Sequence, residues 1–536
     1  MKELSQYKLI LISAIILTLF YNFTFFKAVL EVYDFSGLNI LYITSTAVLL
    51  CFVIIFLFTL FSSKYTTKVL LVITFIVSSF VAYFMNTYNI VIDTEMIRNT
   101  LQTNLDESTD LFSLKLLFYF LLLGVLPSFL IFKTKLIFRP LKSEILSKLK
   151  TILFSFFLIL LILFSFSKFY TSFFREHKPL RYHINPIYWI YSVGKYISDS
   201  FDTTPTTLKK IGVDAKIVSP IGEEDEKELI ILVVGEAARA DRFSLNGYEK
   251  ETNPLLKKED IINFSNMYSC GTSTAVSVPC MFSIYSRNSY NYKKGISTEN
   301  VIDVLKDTGK VKILWRDNNS DSKGVALRVD FENYKKPDKN TICDVECRDE
   351  GMLVGLEEYI EKNNNEDILI VLHQMGNHGP AYYRRYPKEF EKFTPTCKTN
   401  ELEKCTKEEV NNAYDNAILY TDYFLSKVIN FLKPYSKKYE TAMLYLSDHG
   451  ESLGENGLYL HGIPYFIAPN SQKHVASFIW FGKGKMKEDY DVEKLKSYSN
   501  RTFSQDNLFH TLLGLFEVKT KVYDKKMDIL NDAKID

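Results

Sequence analysis

The 536-residue chain carries a formal net charge of +1, with 64 Lys and Arg against 63 Asp and Glu, and contains seven cysteines. That length exceeds what one core organises and predicts at least two folding units, while the near-neutral balance excludes a basic nucleic-acid-binding surface as the organising feature. The charges are unevenly spread: residues 1–175 are dominated by long uncharged apolar runs and the remainder by Lys, Glu, Asp and Asn, so a membrane part precedes a soluble part.

Five apolar stretches, Leu9 to Phe26, Ser36 to Ser63, Val69 to Ile92, Leu116 to Phe132 and Thr151 to Ser167, each come near the roughly 20 residues that a helix needs to cross a bilayer. The first is not a cleaved leader, because Tyr21, Asn22 and Phe23 follow the apolar run without a small-x-small cleavage pattern. Lys64 and Lys68 lie between the second and third spans, and Lys133, Lys135, Arg139, Lys142, Lys148 and Lys150 between the fourth and fifth. Short basic loops face the cytoplasm. The N-terminus is therefore expected inside, with the 93–113 loop and everything after the fifth span outside.

In the 93–113 loop, Asn99, Thr103 and Glu107 recur at every fourth position, so a helix would align them as one polar stripe; a solvated surface face is the plain alternative. Beyond the fifth span, the aromatic-rich segment Tyr182-His183-Ile184-Asn185-Pro186-Ile187-Tyr188-Trp189-Ile190-Tyr191 suits a membrane interface, and the acidic run Glu223-Glu224-Asp225-Glu226 follows. The expected division is a transmembrane domain over 1–175, a partly amphipathic connector over 176–228 and a catalytic domain over 229–536.

Inside the soluble part, short β-rich runs (Leu229 to Val234, Val311 to Trp315, Ile368 to Leu372, Ala442 to Leu446) alternate with helix-like segments, which predicts an α/β sheet covered on both faces. A polar cluster follows each run: Gly235-Glu236, Arg316-Asp317-Asn318-Asn319, His373-Gln374-Met375-Gly376-Asn377-His378 and Ser447-Asp448-His449. Ligands of open α/β sheets bind beyond the carboxyl ends of the strands, so these clusters are expected to converge on one crevice.

Six cysteines fall in the soluble part as close pairs, Cys270 with Cys280, Cys343 with Cys347 and Cys397 with Cys405, and Cys51 stands alone in an apolar run. Paired spacing with no CxxC predicts three small disulfide loops in an oxidising compartment, the same side that the loop charges give, although sequence leaves other connectivities open. The first pair fences Ser269-Cys270-Gly271-Thr272-Ser273-Thr274-Ala275-Val276-Ser277-Val278-Pro279-Cys280, a hydroxyl-rich loop suited to hold a nucleophile in a rigid frame. Ser269, Thr272, Ser273 and Thr274 compete for that role.

Glu236, Asp448 and His449 supply two carboxylates and an imidazole, donors suited to zinc. The Thr274 hydroxyl could complete a tetrahedron, and coordination would make it a nucleophile at neutral pH. His378 and His461 could hold a second ion, hydrogen-bond a phosphoryl oxygen or protonate a leaving group. Lys323, four residues after Asn319, suits a phosphate clamp, a solvated lysine being the alternative.

Five motifs, in order, now carry a resemblance: Val233-Val234-Gly235-Glu236-Ala237-Ala238-Arg239-Ala240-Asp241-Arg242; the Ser269–Cys280 loop continuing into Met281-Phe282-Ser283; Trp315-Arg316-Asp317-Asn318-Asn319; His378-Gly379-Pro380-Ala381-Tyr382-Tyr383; and Ser447-Asp448-His449-Gly450-Glu451-Ser452-Leu453-Gly454. The sequence resembles the lipid A phosphoethanolamine transferases of Gram-negative inner membranes, which include the mobile colistin-resistance enzymes. The likeness covers essentially the whole chain. It implies an N-terminal bundle of five transmembrane helices followed by an α/β alkaline-phosphatase-like, sulfatase-type domain in the periplasm.

The resemblance further implies one tight zinc ion held by Glu236, Thr274, Asp448 and His449, with Thr274 as the covalent nucleophile; a second ion near His378 and His461 stays an open option. It assigns Thr272, Asn319, Lys323, His378 and His461 to substrate contacts, places His373 near the site, and gives Asn99, Thr103 and Glu107 to seating the lipid donor. The expected reaction moves phosphoethanolamine from phosphatidylethanolamine to lipid A or another envelope acceptor and confers polymyxin resistance. The expected enzyme is an inner-membrane monomer with no nucleic-acid partner. Two departures bear on donor fit and acceptor identity: Ala237 stands where relatives commonly carry Thr, and Gly324-Val325-Ala326-Leu327-Arg328-Val329 replaces a Cys-Asp-Arg variant. The alternatives are a glycerol-phosphate transferase or sulfatase-like hydrolase with similar metal architecture, and a silent lipid-binding envelope protein, which should lack the nucleophile or a ligand.

Overall fold

The computed structural model of the protein describes residues 3–103, 105–201, 207–217, 227–484 and 489–535. The chain divides into two compact units, residues 1–97 with 112–198 and residues 98–111 with 199–536. The 98–111 segment therefore belongs with the soluble unit although its chain neighbours on both sides do not.

The first unit is helical: α1 (Gln6–Phe20), α2 (Phe23–Val32), α3 (Gly37–Phe61) and α4 (Thr67–Tyr88), then, beyond α5 (Thr94–Gln102) and α6 (Leu105–Asp110), α7 (Leu114–Lys133), α8 (Leu141–Ser165) and α9 (Ile187–Phe201). Among the described residues, α3, α4, α7 and α8 are each long and apolar enough to cross a bilayer, and the pair α1–α2, bent by 55°, makes a fifth if counted as one span. The first apolar stretch is thus a broken helix and not the continuous one its composition predicts. The break is built around Asn22, buried at the bend, whose side-chain amide donates to the carbonyls of Leu17 (2.9 Å) and Asn185 (2.6 Å) while its Oδ1 accepts from the Asn185 backbone at 2.9 Å. Asn185 in turn donates to the Ser78 carbonyl at 3.0 Å, and the Trp189 indole to the Ser78 hydroxyl at 3.1 Å. A polar group in apolar surroundings is tolerated only when it is satisfied in this way. In α7, Pro127 deprives the Leu123 carbonyl of the usual donor four residues on, the helix widens to a π turn over Phe120–Val125, and the Tyr21 hydroxyl donates to that carbonyl instead.

The second unit is built on a seven-stranded sheet with strands β1 (Lys227–Gly235), β2 (Ile261–Asn263), β3 (Val311–Asp317), β4 (Asp330–Asn333), β5 (Asp367–His373), β6 (Tyr439–Ser447) and β7 (Ser477–Phe481), in the order β2–β7–β6–β1–β5–β3–β4. The five strands from β6 to β4 run parallel, and β7 and β2 continue the sheet antiparallel. Its centre reads as unbroken apolar runs because both faces are covered. Ile230, Leu232 and Val234 pack into a core with Val301–Leu305 and Leu508–Phe516, and every residue of Leu229 to Val234 is fully buried. At the N-terminal edge, Glu228, Asp367 and Glu440 begin three adjacent strands, each under a tenth exposed. The disulfides Cys270–Cys280, Cys343–Cys347 and Cys397–Cys405 all close, and Cys51 is free.

Candidate active site

Parallel strands deliver their C-terminal residues to one edge of the sheet, and that edge carries the chemistry. Glu236 follows β1, Asn319 lies two residues beyond β3, His373 ends β5, and Asp448 and His449 follow β6. Opposite them, α10 (Thr274–Met281) begins with Thr274 at its first turn, where unsatisfied backbone N–H groups favour negative charge.

The Thr274 hydroxyl donates to Glu236 Oε2 at 3.0 Å and lies 3.3 Å from His449 Nε2. His449 Nδ1 sits 2.8 Å from the Gly450 carbonyl, which can accept only from a protonated Nδ1, so Nε2 carries the lone pair. That lone pair faces Glu236 Oε1 and Asp448 Oδ2, each at 3.4 Å. Among the described residues no hydrogen-bond donor reaches either oxygen, and both residues are fully buried. Glu236 Oε2 also accepts from Asn319 Nδ2 at 2.9 Å, and Asp448 Oδ1 from the backbone N–H groups of Ala237 (3.1 Å) and His449 (2.6 Å).

Orphaned carboxylate oxygens in a dry pocket are costly unless a cation receives them. Burial first, and the neighbouring Asp448 second, push the Glu236 carboxyl well above its ordinary range. Bonds of about 2.0–2.1 Å to a tetrahedral zinc imply ligand separations of about 3.3–3.4 Å, the spacing found here between His449 Nε2 and its three neighbours. The donors Glu236, Asp448, His449 and Thr274 thus fit such an ion in type, spacing and protonation.

A second donor group, His449, Glu451 and His461, adjoins the first. Glu451 Oε2 lies 2.9 Å from His461 Nδ1 and its Oε1 accepts from the Tyr382 hydroxyl at 2.9 Å, so His461 presents Nε2. His378 packs its ring 5.8 Å from that of His461. Burial, with the Arg385 charge next, holds His378 well below the ordinary histidine value and hence neutral.

The remaining expected residues take other places. Thr272 donates to the Ile463 carbonyl at 2.6 Å and accepts from Gly462 N–H at 2.7 Å, pinning the loop that carries His461. His373 is turned toward Asp317 Oδ2 at 2.8 Å; Asp317 Oδ1 accepts from the N–H groups of Asn319 and Asp321, so His373 lies beneath the Asn319 turn. Burial alone would raise Asp317, but His373 beside it holds the carboxyl below its usual range. Asn319 and Lys323 line a cavity of about 760 Å³ together with Gln102, Thr103, Leu327 and Phe331. Of the expected stripe, Asn99 lies on α5, which ends at Gln102, and Thr103 follows it with its hydroxyl donating to the Asn99 carbonyl at 2.8 Å. The side chain of Glu107 lies outside the described residues.

Four positions were passed over in the sequence. Gln505, fully buried, accepts from Cys270 N–H at 2.6 Å and donates to the carbonyls of Ser447 and Asp448 at 2.7 Å each, joining the nucleophile loop to the end of β6. Asp349 accepts from Asn318, Met375 and Gly376 and holds two of the loops together. Tyr414 donates to the Ala237 carbonyl at 2.6 Å, where Ala237 adopts a left-handed φ of 53°. Only Glu451, two residues from His449, had a signal, its place in a motif already picked out.

Comparison with known proteins agrees with this geometry. Residues 50–201 match the family described as Phosphoethanolamine transferase EptA/EptB, and residues 228–518 match the Sulfatase family. The chain is 43% identical over 536 residues to the phosphatidylethanolamine transferase Mcr-1 of Escherichia coli, covering 98% of this chain and 97% of that protein. It is 42% identical to the phosphoethanolamine transferase EptA of Escherichia coli (strain K12), at 98% and 96% coverage. The integral membrane lipooligosaccharide phosphoethanolamine transferase A of Neisseria meningitidis superposes over the whole of both chains with a TM-score of 0.95 at 35% identity. The C-terminal periplasmic domain of the phosphoethanolamine transferase EptC of Campylobacter jejuni is 45% identical, with a TM-score of 0.54, over 62% of this chain and all of that one. Matched along its length in both sequence and structure, the chain belongs to the EptA/Mcr family of phosphoethanolamine transferases, as a multi-pass inner-membrane protein with its catalytic domain in the periplasm.

Proposed function

We propose that the protein transfers phosphoethanolamine from phosphatidylethanolamine to lipid A or another envelope acceptor, in two displacements through Thr274, and thereby lowers susceptibility to polymyxins. The observation that carries this is the Thr274 hydroxyl at a helix N-terminus, 3.0 Å from Glu236 Oε2 and 3.3 Å from His449 Nε2, inside a ring of buried donors. In the first displacement the Thr274 Oγ–P bond forms as the bond to the diacylglycerol oxygen breaks, the threonine proton leaving toward Glu236 Oε2 and the departing oxygen taking a proton from His461 Nε2. In the second, the acceptor oxygen attacks the same phosphorus and Thr274 leaves with the proton returned from Glu236, while His461 Nε2 takes the acceptor's proton and so regains the one it gave up.

Glu236, Asp448, His449 and Thr274 would hold one zinc ion, which when bound lowers the pKa of the threonine hydroxyl and offsets charge on the phosphoryl oxygens. A second ion near His461 and His378 would occupy the same Nε2 of His461 that otherwise moves the proton, so the two roles exclude each other. Asn319 and Lys323 contact the donor phosphate, Thr272 holds the His461 loop, His373 positions Asn319 through Asp317, and Asn99, Thr103 and Glu107 belong to the donor-binding segment. In this reading residues 1–175 anchor the enzyme in the bilayer, 176–228 connect, and 229–536 carry the chemistry of a monomer.

Incubating the detergent-solubilised protein with phosphatidylethanolamine and mapping its peptides tests the reading. One phosphoethanolamine adduct, on Thr274, is expected. An adduct on Thr272 or Ser273, or release of free phosphoethanolamine with no adduct, would overturn it, the second in favour of a hydrolase.

A further inference from the structure

The segment 98–111 bears Asn99, Thr103 and Glu107, and one buried carboxylate anchors its C-terminal end within the soluble unit. Asp110 is 8% exposed, with Oδ1 accepting from Arg384 Nη1 at 2.5 Å and Oδ2 from Arg385 Nη2. Its backbone carbonyl accepts from Asn400 Nδ2 at 2.8 Å. Arg385, whose side chain is 2% exposed, sends Nη1 to Glu346 on the Cys343–Cys347 loop and Nε to the His378 carbonyl at 2.7 Å. One planar fork thus reaches in three directions, a geometry that an ammonium on a flexible stem cannot reproduce. Toward the other end of the segment, the Gln102 carbonyl accepts from Lys323 Nζ at 3.4 Å, and Arg98 stacks 4.0 Å over the Tyr292 ring.

Two cavities take a wall from this segment. The larger, about 760 Å³, pairs Gln102 and Thr103 with Asn319 and Lys323; the smaller, about 290 Å³, pairs Thr109 and Asp110 with Met375, Arg384 and Arg385. Displacing the segment would open both, and would leave Arg385 held by Glu346 and the His378 carbonyl.

We infer that Asp110 is a positioning residue for the transfer reaction: clamped by Arg384 and Arg385, it holds the 98–111 segment as the wall of the donor cavity without touching the reacting atoms. Removing its charge leaves two arginines facing a neutral group in a largely dry site, which weakens the clamp by more than one hydrogen bond. The inference rests on reading Asn319 and Lys323 as donor contacts, and its physical half can be measured apart from that reading.

The experiment compares full-length wild type, Asp110→Asn, Asp110→Glu and Arg385→Lys in phosphatidylethanolamine-containing mixed micelles, by steady-state kinetics and by hydrogen exchange. Asp110→Asn is expected to raise KM for phosphatidylethanolamine about ten-fold with kcat within about three-fold, to leave bound zinc unchanged, and to speed exchange over 98–111 but not over β1. Arg385→Lys should move KM and exchange in the same direction, and Asp110→Glu should fall between wild type and Asp110→Asn. Unchanged exchange over 98–111 would overturn the clamp whatever the activity. Faster exchange with an unchanged KM, or a fall in kcat alone, would overturn its role in seating the donor. A wild type that transfers nothing from phosphatidylethanolamine would sink the functional reading, and the exchange data would still decide the clamp.

Discussion

Ser269, just ahead of Cys270, and Thr272, Ser273 and Thr274, inside the Cys270–Cys280 loop, compete as the nucleophile, and position separates Thr274 from Ser269 and Thr272. Ser269 donates to the Gly271 carbonyl and Thr272 to the Ile463 carbonyl, so both are occupied in holding backbone, whereas Thr274 opens a helix and faces Glu236 and His449. Thr274→Ala is expected to lower transfer by at least about 10³-fold while shifting unfolding by no more than about 1 kcal/mol. Product assays and thermal melts on the same preparation check both halves. Asp448→Asn should act differently, lowering bound zinc as well as activity, because it removes one of the converging lone pairs; full zinc occupancy in that variant would remove Asp448 from the ligand set. Glu236, Asp448 and His449 were legible in the sequence because each directly follows an apolar run that had to be a strand. His373 obeys the same rule yet turns to Asp317, since the direction in which a strand-end side chain leaves depends on the turn beside it, here the Asn319 turn.

The strands were legible as elements because uninterrupted β-branched and aliphatic runs admit few other readings once flanked by polar clusters. The parallel edge strand β4 and the antiparallel β7 and β2 were not, being short and held by pairing rather than by pattern, and the bend between α1 and α2 was masked by apolar residues that fit a straight helix equally well. Gln505 was illegible for a related reason: its meaning is a bridge between Cys270 and the end of β6, more than 200 positions away in one case. Gln505→Ala deletes the three hydrogen bonds linking the nucleophile loop to the end of β6 and leaves two buried carbonyls and the Cys270 N–H short of a partner, at about 1–3 kcal/mol per unsatisfied group. The expected result is a lower melting temperature together with a kcat reduced by about 10- to 100-fold at little change in KM, since the nucleophile drifts while the donor cavity stands. Wild-type kcat in this variant would show that the disulfide alone fixes the loop.

At the scale of the molecule, the sheet's two ends differ: its C-terminal edge gathers carboxylates and an imidazole that could receive a cation, and its N-terminal edge gathers the buried carboxylates of Glu228, Asp367 and Glu440. Burial first, and Asp367 next, raise the Glu228 carboxyl well above its ordinary value near 4.5. A raised acid binds its proton more tightly in the folded state, so stability is greatest below the unfolded pKa and declines as pH rises toward the folded one. Glu228→Gln is therefore expected to melt higher than wild type at pH 8 and together with it at pH 4.5; coincident melts at both would mean that the edge is better solvated than its burial implies. The disulfides have a different kind of consequence. Each joins cysteines 10, 4 or 8 positions apart, so in a chain exported from its N-terminus every thiol meets its proper partner as the next one to emerge, before any wrong one is available. Oxidation can follow the order of export with no pairing to undo, and cells that retain a periplasmic thiol oxidase but lack a disulfide isomerase should accumulate the fully bridged enzyme at the normal level.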